Sequence, residues 1–256
     1  MKIDAIILAG GGVDKSLKKY CKSRGKAFIK IDNKIMVEYS IDAVRQVEQI
    51  DRVVLVADPE HVPADIKNKV DLIVNGGDSI ATSLKLGVKA LEPKPKRVLV
   101  LPCDLPMINS NVIEDFITRS VGVRVDITYA YLSKKNSEKK YPDLRHTYVK
   151  LKDGTFCGTG LFLMNPEIID SCEAFFNKLS DNRKNPFGLA SLLGFGFLIK
   201  LILGKLTIKE IEGQIYTIMK CSGKGIETKY AEAGFNVDNP EDLELTRKLF
   251  EDGVKI

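Results

Sequence analysis

Short apolar runs recur along the first half of the chain, and amphipathic segments separate them. Nearly every position in these runs is apolar, as in parallel strands covered on both faces, and they lie at 5–9, 52–57, 72–74 and 97–101. Between them, residues 36–47 and 80–91 carry apolar side chains at helical spacing. Repeated strand–helix–strand units predict an α/β fold, in which a mostly parallel twisted sheet is flanked by helices.

The pattern changes after residue 125. Strand-like segments follow at 127–132, 147–151 and 160–164, with a polar, lysine-rich interruption at 133–140. Helices are predicted over 111–120, 167–179, 187–203 and 207–215, whereas 225–231 is ambiguous. No repeat or linker divides the sequence. We therefore expect one domain over 1–256, with about 166–222 as a helical insertion or lid within it.

Residues 187–203 are the one stretch that approaches membrane-spanning length. Lys200 and three glycines interrupt it, so the pattern favours a buried pair of helices over a transmembrane span. Three roles stay open for this stretch: a lid, the surface of a homodimer, or a site for a lipid-like acceptor.

Composition narrows the functional classes only modestly. Of the 256 residues, 44% are hydrophobic and 29% charged, which is ordinary for a soluble globular protein. The net charge of +5 suits an anionic ligand, and a solvated lysine surface explains it equally. Nucleic acid is not expected as a partner, because the lysines are scattered and not interleaved with aromatic residues. Five cysteines without a C-x-x-C pair, and no signal-peptide pattern, predict a cytoplasmic location.

The first apolar run leads directly into a glycine loop. Leu8 and Ala9 end the run, and Gly10, Gly11 and Gly12 follow. Without Cβ atoms, successive glycines can bring backbone N–H groups against an anion. Lysines come next in the sequence. The stretch therefore predicts a site for a phosphate chain.

Two familiar phosphate-binding motifs can be compared with this loop. A P-loop needs a glycine before its lysine, and Asp14 stands before Lys15, so that motif is excluded. A dinucleotide fingerprint would use Gly10 and Gly12 but would have Lys15 as its third glycine. Because Asp32 lies where a ribose-binding acid belongs, the dinucleotide alternative stays open.

Two aspartates follow predicted strands. Asp104 comes after the run at 97–101, and Asp238 comes after a short apolar segment that begins at Phe235. Asn239 as N-cap and Pro240 at the first helical position then begin a final helix. In open parallel sheets, ligands bind outside the carboxyl ends of the strands. The two carboxylates are candidate Mg²⁺ ligands there, and helix or turn capping is the alternative for each.

Three motifs together resemble the nucleotidyltransferase superfamily, which includes the molybdenum-cofactor guanylyl- and cytidylyltransferases. They are Leu8-Ala9-Gly10-Gly11 with the downstream Lys26, Cys103-Asp104-Leu105-Pro106, and Val237 to Leu243. The resemblance spans nearly the whole chain, and the motifs occur in the expected order. It implies a Rossmann-like nucleotidyltransferase fold, similar to the GT-A fold of glycosyltransferases.

The resemblance also implies roles for particular residues. Lys26 and Lys15 would be the catalytic cations, and Asp104 and Asp238 would bind Mg²⁺. The nucleotide would contact Leu8, Ala9, Gly10, Gly11, Gly12, Gly77 and Ser83. The implied reaction is Mg²⁺-dependent transfer of an NMP group from an NTP to a small phosphorylated or hydroxylated acceptor, with release of pyrophosphate and without a protein nucleophile.

One departure from the family keeps two other functions open. The family loop usually continues with glycine, any residue and arginine, where this chain has Val13, Asp14 and Lys15. Lysine supplies charge but not the bidentate fork of arginine, so a non-catalytic nucleotide sensor is one alternative. A nucleotide-sugar glycosyltransferase is the other. It normally requires D-x-D, whereas Leu105 and Pro106 follow Asp104.

Overall fold

The computed structural model describes residues 1–10, 16–21, 25–182 and 186–254. Its strands are β1 Ile3–Leu8, β2 Lys30–Ile31, β3 Lys34–Ile35, β4 Ile50–Val56, β5 Leu72–Val74, β6 Val98–Pro102, β7 Ile127–Ser133, β8 Val149–Leu151, β9 Gly154–Met164 and β10 Gly223–Thr228. Its α-helices are α1 Lys18–Cys21, α2 Met36–Arg45, α3 Ala64–Lys67, α4 Ile80–Lys89, α5 Ser110–Val121, α6 Lys134–Lys140, α7 Ile169–Asn182, α8 Pro186–Leu193, α9 Phe195–Ile202, α10 Ile208–Met219 and α11 Pro240–Glu251. Single 3₁₀ turns lie at Lys26–Phe28, Pro166–Ile168 and Ala231–Gly234.

Eight of the strands form one mixed sheet. Its order is β10-β7-β9-β6-β1-β4-β5, and β8 pairs with β9 at one end. The pairs of β1 with β4 and β6, of β4 with β5 and of β7 with β10 are parallel. Only β9 runs against its neighbours β6, β7 and β8. The predicted α/β fold with a mostly parallel sheet is confirmed.

Strand β1 lies at the centre of this sheet and contributes to the core on both faces. Ile7 belongs to an apolar cluster with residues of α2 and α5, such as Ile41 and Phe116. Its neighbour Ile6 belongs to a second cluster, with α4 and α7 residues on the opposite face. Because successive side chains of a strand point to opposite faces, a strand covered by helices on both sides needs apolar residues at every position. Residues 5–8 of β1 meet this requirement, and the buried acid of the strand, Asp4, pairs with Arg52 at 2.6 Å.

Four local predictions were wrong or incomplete. The segment expected to be extended over 27–31 begins as the 3₁₀ turn Lys26–Phe28, and only its last two residues form β2. The lysine-rich interruption at 133–140 contains helix α6, and the ambiguous stretch before residue 231 contains β10, which pairs with β7. The short strand expected before Asp238 does not form, since residues 235–238 lie outside every strand that the structure describes. The Val237 N–H instead donates to the Asp104 carbonyl at 3.1 Å.

The prediction of a buried helix pair at 187–203 was half right. Two helices form there, α8 and α9, but α9 contains no buried residue. Among the residues the structure describes, no helix is long and apolar enough to cross a membrane. The role of 166–222 as an insertion or lid stays a prediction.

Candidate active site

The carboxyl ends of β1, β4 and β6 meet at one edge of the sheet. Leu8 lies opposite Val56 on one side and Pro102 on the other. Just beyond, the Ala9 N–H donates to the Val56 carbonyl at 2.8 Å, and the Cys103 N–H donates to the Leu8 carbonyl at 3.1 Å. These bonds bring the beginning of the glycine loop and the segment that carries Asp104 to the same edge.

A single lysine joins the two candidate metal-binding aspartates. The Lys26 ammonium lies 2.6 Å from Asp104 Oδ2 and 2.7 Å from Asp238 Oδ1. Asp104 and Lys26 are each 15% exposed at the side chain, whereas Asp238 is 67% exposed. The three residues come from positions far apart in the sequence, so the geometry depends on the fold as a whole.

The final helix holds Asp238 in this position. Asn239 caps α11 by accepting from the Asp242 N–H at 2.9 Å, and the Asp242 carboxylate accepts from the N–H groups of Asp238 and Asn239. Together with the bond from Val237 to Asp104, this reciprocal cap orients the backbone of Asp238. The sequence prediction of an Asn239 cap followed by Pro240 is confirmed.

The electrostatics of the three groups are strongly coupled. Burial by itself lowers the pKa of Lys26, but the carboxylates of Asp104 and Asp238 outweigh it and raise that pKa above its ordinary value. Burial raises the pKa of Asp104, and the Lys26 ammonium opposes this change. The second oxygen of Asp104, Oδ1, is buried and has no hydrogen-bond partner. The site therefore contains one carboxylate oxygen that a cation could still bind.

Glycines line the other side of the same edge. A Cβ on Gly10 would have the Gly76 Cα as its nearest neighbour, at 3.5 Å, so two glycine segments face each other there. At Gly77 a Cβ would lie 2.5 Å from Thr82 Cγ2, so this position requires glycine. The Gly77 N–H donates to the buried Ser83 hydroxyl at 3.0 Å. The segments of Gly10 and of Gly76 and Gly77 thus adjoin at this edge, and we call the surface that they form with Ser83 the glycine groove.

A cleft of about 480 Å³ lies beside Asp238. The segment before β8, one residue pair of β9 and the beginning of α11 line it, through Arg145, His146, Thr147, Cys157, Gly158, Asn236, Asp238, Asn239 and Asp242. A Cβ at position 158 would lie 2.0 Å from the Tyr129 hydroxyl, so glycine is required there. The cleft thus adjoins Asp238, the more exposed of the two aspartates that contact Lys26.

Arg145 and His146 give this cleft its chemistry. Arg145 is exposed, and no ion pair joins it to a carboxylate among the residues described here. Burial lowers the pKa of His146, with Asp238 opposing, and its Nε2 atom is buried without a hydrogen-bond partner. A cation and a neutral imidazole at one wall suit an anionic or hydroxylated guest.

The candidate residues divide into three groups in the structure. Leu8, Ala9, Gly10, Gly77 and Ser83 lie along the glycine groove, and Lys26, Asp104 and Asp238 form the charged cluster at the same edge. The predicted Gly11, Gly12 and Lys15 lie outside the described residues. Sequence reasoning missed Arg145, His146 and Asp242. Only the glycine-rich Gly158-Thr159-Gly160 in β9 was a signal of this cleft in the sequence.

The charged cluster offers two carboxylates, a set that fits a magnesium ion better than a metal coordinated by protein alone. Among the residues that the structure describes, no group of three or more His, Cys, Asp or Glu side chains could bind one. Mg²⁺ commonly takes one or two carboxylates and completes its shell with water and substrate phosphates. Asp104 and Asp238 meet that requirement, and the unpartnered Oδ1 of Asp104 fits a cation.

Known proteins resemble this chain in sequence and in fold. The family model described as "MobA-like NTP transferase domain" matches residues 5–153. The 2-C-methyl-D-erythritol 4-phosphate cytidylyltransferase of Clostridium botulinum strain 657 is 32% identical over 124 residues, which are 46% of this chain and 53% of that protein. The chain thus spans about half the length of the curated relatives it matches.

Solved structures match over a longer part of the chain. A hypothetical transferase from Thermus thermophilus has a TM-score of 0.81 and 28% identity, and the match covers 95% of this chain and 100% of that one. A CMP:2-keto-3-deoxy-manno-octonic acid synthetase, complexed with CTP, has a TM-score of 0.65 and 14% identity, over 99% of this chain and 100% of that one. At that identity, the second match supports the fold alone.

Proposed function

The chain belongs to the MobA-like NTP transferase domain family, and from this membership we propose that it transfers a nucleotidyl group from an NTP to a small phosphorylated acceptor. The reaction uses Mg²⁺ and releases pyrophosphate. One observation carries the proposal: a buried lysine, Lys26, contacts two aspartates, Asp104 and Asp238, beside a groove lined by glycine backbone.

The nucleotide lies along the glycine groove. Because the Ala9 N–H already donates to Val56, Ala9 offers its carbonyl to the base. Gly77 and Ser83, which hydrogen-bond to each other, form the opposite wall. From Gly10 the phosphates extend toward Lys26, and glycine permits the close backbone approach that this path requires.

Asp104 and Asp238 would hold the Mg²⁺. When bound, the ion neutralises phosphate charge and orients the triphosphate. The Lys26 ammonium balances both carboxylates, at 2.6 and 2.7 Å from their oxygens. Lys26 and a bound metal ion would thus share one pair of aspartates.

Lys26 remains charged throughout, since its pKa is raised by the carboxylates. Once the NTP is bound, its ammonium turns to the α-phosphate and stabilises the charge that develops in the transition state. An acceptor oxygen attacks the α-phosphorus, a new P–O bond forms, and the bond to the β-phosphate breaks. The electron pair of that bond leaves with pyrophosphate.

The cleft beside Asp238 holds the acceptor. Arg145, which lacks a carboxylate partner among the described residues, binds its phosphate, and neutral His146 offers a hydrogen bond to a hydroxyl group. An ionised phosphate oxygen is already a nucleophile at neutral pH, so the reaction needs no general base. The curated relatives are named for a cytidylyl group and a phosphorylated sugar alcohol, so CTP and sugar-alcohol phosphates are the first substrates to test.

Pyrophosphate release tests the proposal. Each of the four NTPs is combined with Mg²⁺ and a panel of sugar and sugar-alcohol phosphates, for the wild type, Lys26→Met and Lys30→Met. We expect release with one nucleotide, a loss of about 10²–10³-fold in kcat for Lys26→Met, and wild-type rates for Lys30→Met, because Lys30 is exposed on β2.

Two outcomes would contradict the proposal. Equal rates for the wild type and Lys26→Met would remove Lys26 from the chemistry. Binding of an NTP without turnover, with every acceptor in the panel, would favour the sensor function instead.

A further inference from the structure

Helix α9 carries a stripe of exposed apolar side chains. Phe195 is 71% exposed and Ile202 is 83% exposed, and Ile199 and Leu203 are exposed between and beside them. Positions 195, 199, 202 and 203 lie on one face of a helix because they are spaced by four, three and one residues. The whole helix contains no buried residue. Such a continuous apolar face on a soluble fold marks an interaction surface.

Lysines surround the carboxyl end of this stripe. Lys205 and Lys209 follow the helix in the sequence. Lys152, directly after β8, lies beside them, because its N–H donates to the Leu206 carbonyl at 2.9 Å. The side chain of Lys150 lies 3.3 Å from the position a Cβ on Gly204 would take. All four lysines are exposed. None of them forms an ion pair with a carboxylate in the described part of the chain.

Few acids offset these lysines. Glu210 is engaged by Lys200 at 2.5 Å, and Asp153 accepts the Ile208 N–H at 2.7 Å. In the described part of the chain, five lysines and two carboxylates therefore lie around the end of α9, and Glu212 of the adjoining α10 is paired with Lys224 at 3.1 Å. The exposed apolar stripe and its rim have a net positive charge.

We propose that this face of α9 binds the surface of an anionic lipid bilayer. The exposed side chains of Phe195, Ile199, Ile202 and Leu203 enter the boundary between headgroups and acyl chains, and the lysine rim contacts the headgroups. An apolar face beside unpaired lysines is typical of helices that lie in the membrane plane. With eight residues, α9 is about 12 Å long and cannot span a bilayer.

Charge favours a lipid surface over a second copy of the chain. In a two-fold symmetric dimer the same patch meets itself, so the lysine rims of both copies would enter one interface and no further acids would be added. Like charges across an interface disfavour association. An anionic bilayer offers the complementary charge to every lysine at once. The proposal is independent of the transferase reaction, because it uses no residue of the charged cluster or the glycine groove.

Vesicle co-sedimentation of the full chain tests the proposal. Vesicles of phosphatidylcholine are compared with vesicles of phosphatidylcholine and phosphatidylglycerol, at low and high salt. We expect binding to the anionic vesicles that weakens with salt. Ile202→Glu should lower the partition coefficient more than about tenfold. Lys205→Glu should lower it about thirtyfold, because it changes two units of charge at about 1 kcal/mol each.

Two variants serve as matched controls. Val121→Glu places the same charge on an exposed apolar residue at the end of α5, and Lys248→Glu reverses an exposed lysine on α11. Both should bind vesicles as the wild type does. Thermal unfolding of every variant establishes that it is folded.

Three results would overturn the proposal. The first is wild-type sedimentation that is equally low with both kinds of vesicle. The second is unchanged vesicle binding by Ile202→Glu. The third is a wild-type dimer in solution that Ile202→Glu converts to a monomer, which would assign the stripe to a second copy.

Discussion

Two apolar runs of the chain differ in their burial. Residues 5–8 of β1 are buried or half-buried, with neighbouring strands at both edges and helical layers on both faces. Residues 195–202 of α9 are also apolar apart from Lys200, yet none is buried. Hydrophobicity predicts that a segment tends to be buried. Whether it is buried depends on the elements that the fold places beside it. The sheet covers β1, and no other described element covers the outer face of α9.

The largest expected difference between the two runs is in stability. Ile7→Ala removes a side chain that is 0% exposed, so we expect the free energy of unfolding to fall by about 2–5 kcal/mol through lost burial and a residual cavity. Ile202→Ala, at a mostly exposed position, should change it by less than about 0.5 kcal/mol. Denaturant unfolding at constant pH measures both values. Similar losses for the two variants would show that α9 is packed against the rest of the chain.

The same comparison shows how much of the fold the sequence predicts. The strands β1, β4, β5 and β6 were predicted to within a few residues, because an uninterrupted apolar run between turns is compatible with few other structures. The exposure of α9 was not predicted. An apolar helix facing solvent and an apolar helix in a core have the same sequence pattern, and only the surrounding elements distinguish them.

The candidate site was predictable to a smaller extent. Asp104 follows a strand and Asp238 precedes a capped helix, as the sequence indicated, but the strand expected before Asp238 is absent. The contact of Lys26 with both aspartates depends on three segments that are separated by 78 and 134 positions in the sequence, and no local pattern encodes it. Arg145 and His146 carry no motif, so the cleft they line was recognisable only from the fold.

Two helical glycines allow the same comparison of a buried and an exposed position, with smaller expected changes in stability. A Cβ at Gly87 of α4 would lie 3.0 Å from the side chains of Ile6 and Val56, whereas at Gly196 of α9 nothing lies within 4 Å. Gly87→Val should therefore destabilise the protein by about 1–3 kcal/mol through overpacking. Gly196→Ala should stabilise it by about 0.5–1 kcal/mol, because alanine is the better helix former. Thermal unfolding checks the signs, and a destabilising Gly196→Ala would mean that α9 has a covered face.

The smallest expected effect concerns the cap that holds Asp238. Asn239→Ala removes the acceptor of the Asp242 N–H and should cost about 1 kcal/mol of stability. Asn109→Ala is the matched control, because Asn109 caps α5 in the same way away from Asp238. Only Asn239→Ala should also weaken Mg²⁺-dependent NTP binding. Equal effects of both variants on NTP binding would show that the cap acts through stability alone.

The central claim is that Asp104, Asp238 and Lys26 form the site for an NTP with Mg²⁺. Calorimetric titration of each NTP, with and without Mg²⁺, tests it most directly when the wild type is compared with Asp104→Ala and with Asp115→Ala, whose aspartate lies on α5 beside Arg119. We predict that one NTP binds the wild type and Asp115→Ala tightly only with Mg²⁺, and that Asp104→Ala loses this dependence on Mg²⁺. Asp104→Ala binding that NTP with wild-type affinity and the same dependence on Mg²⁺ would contradict the account.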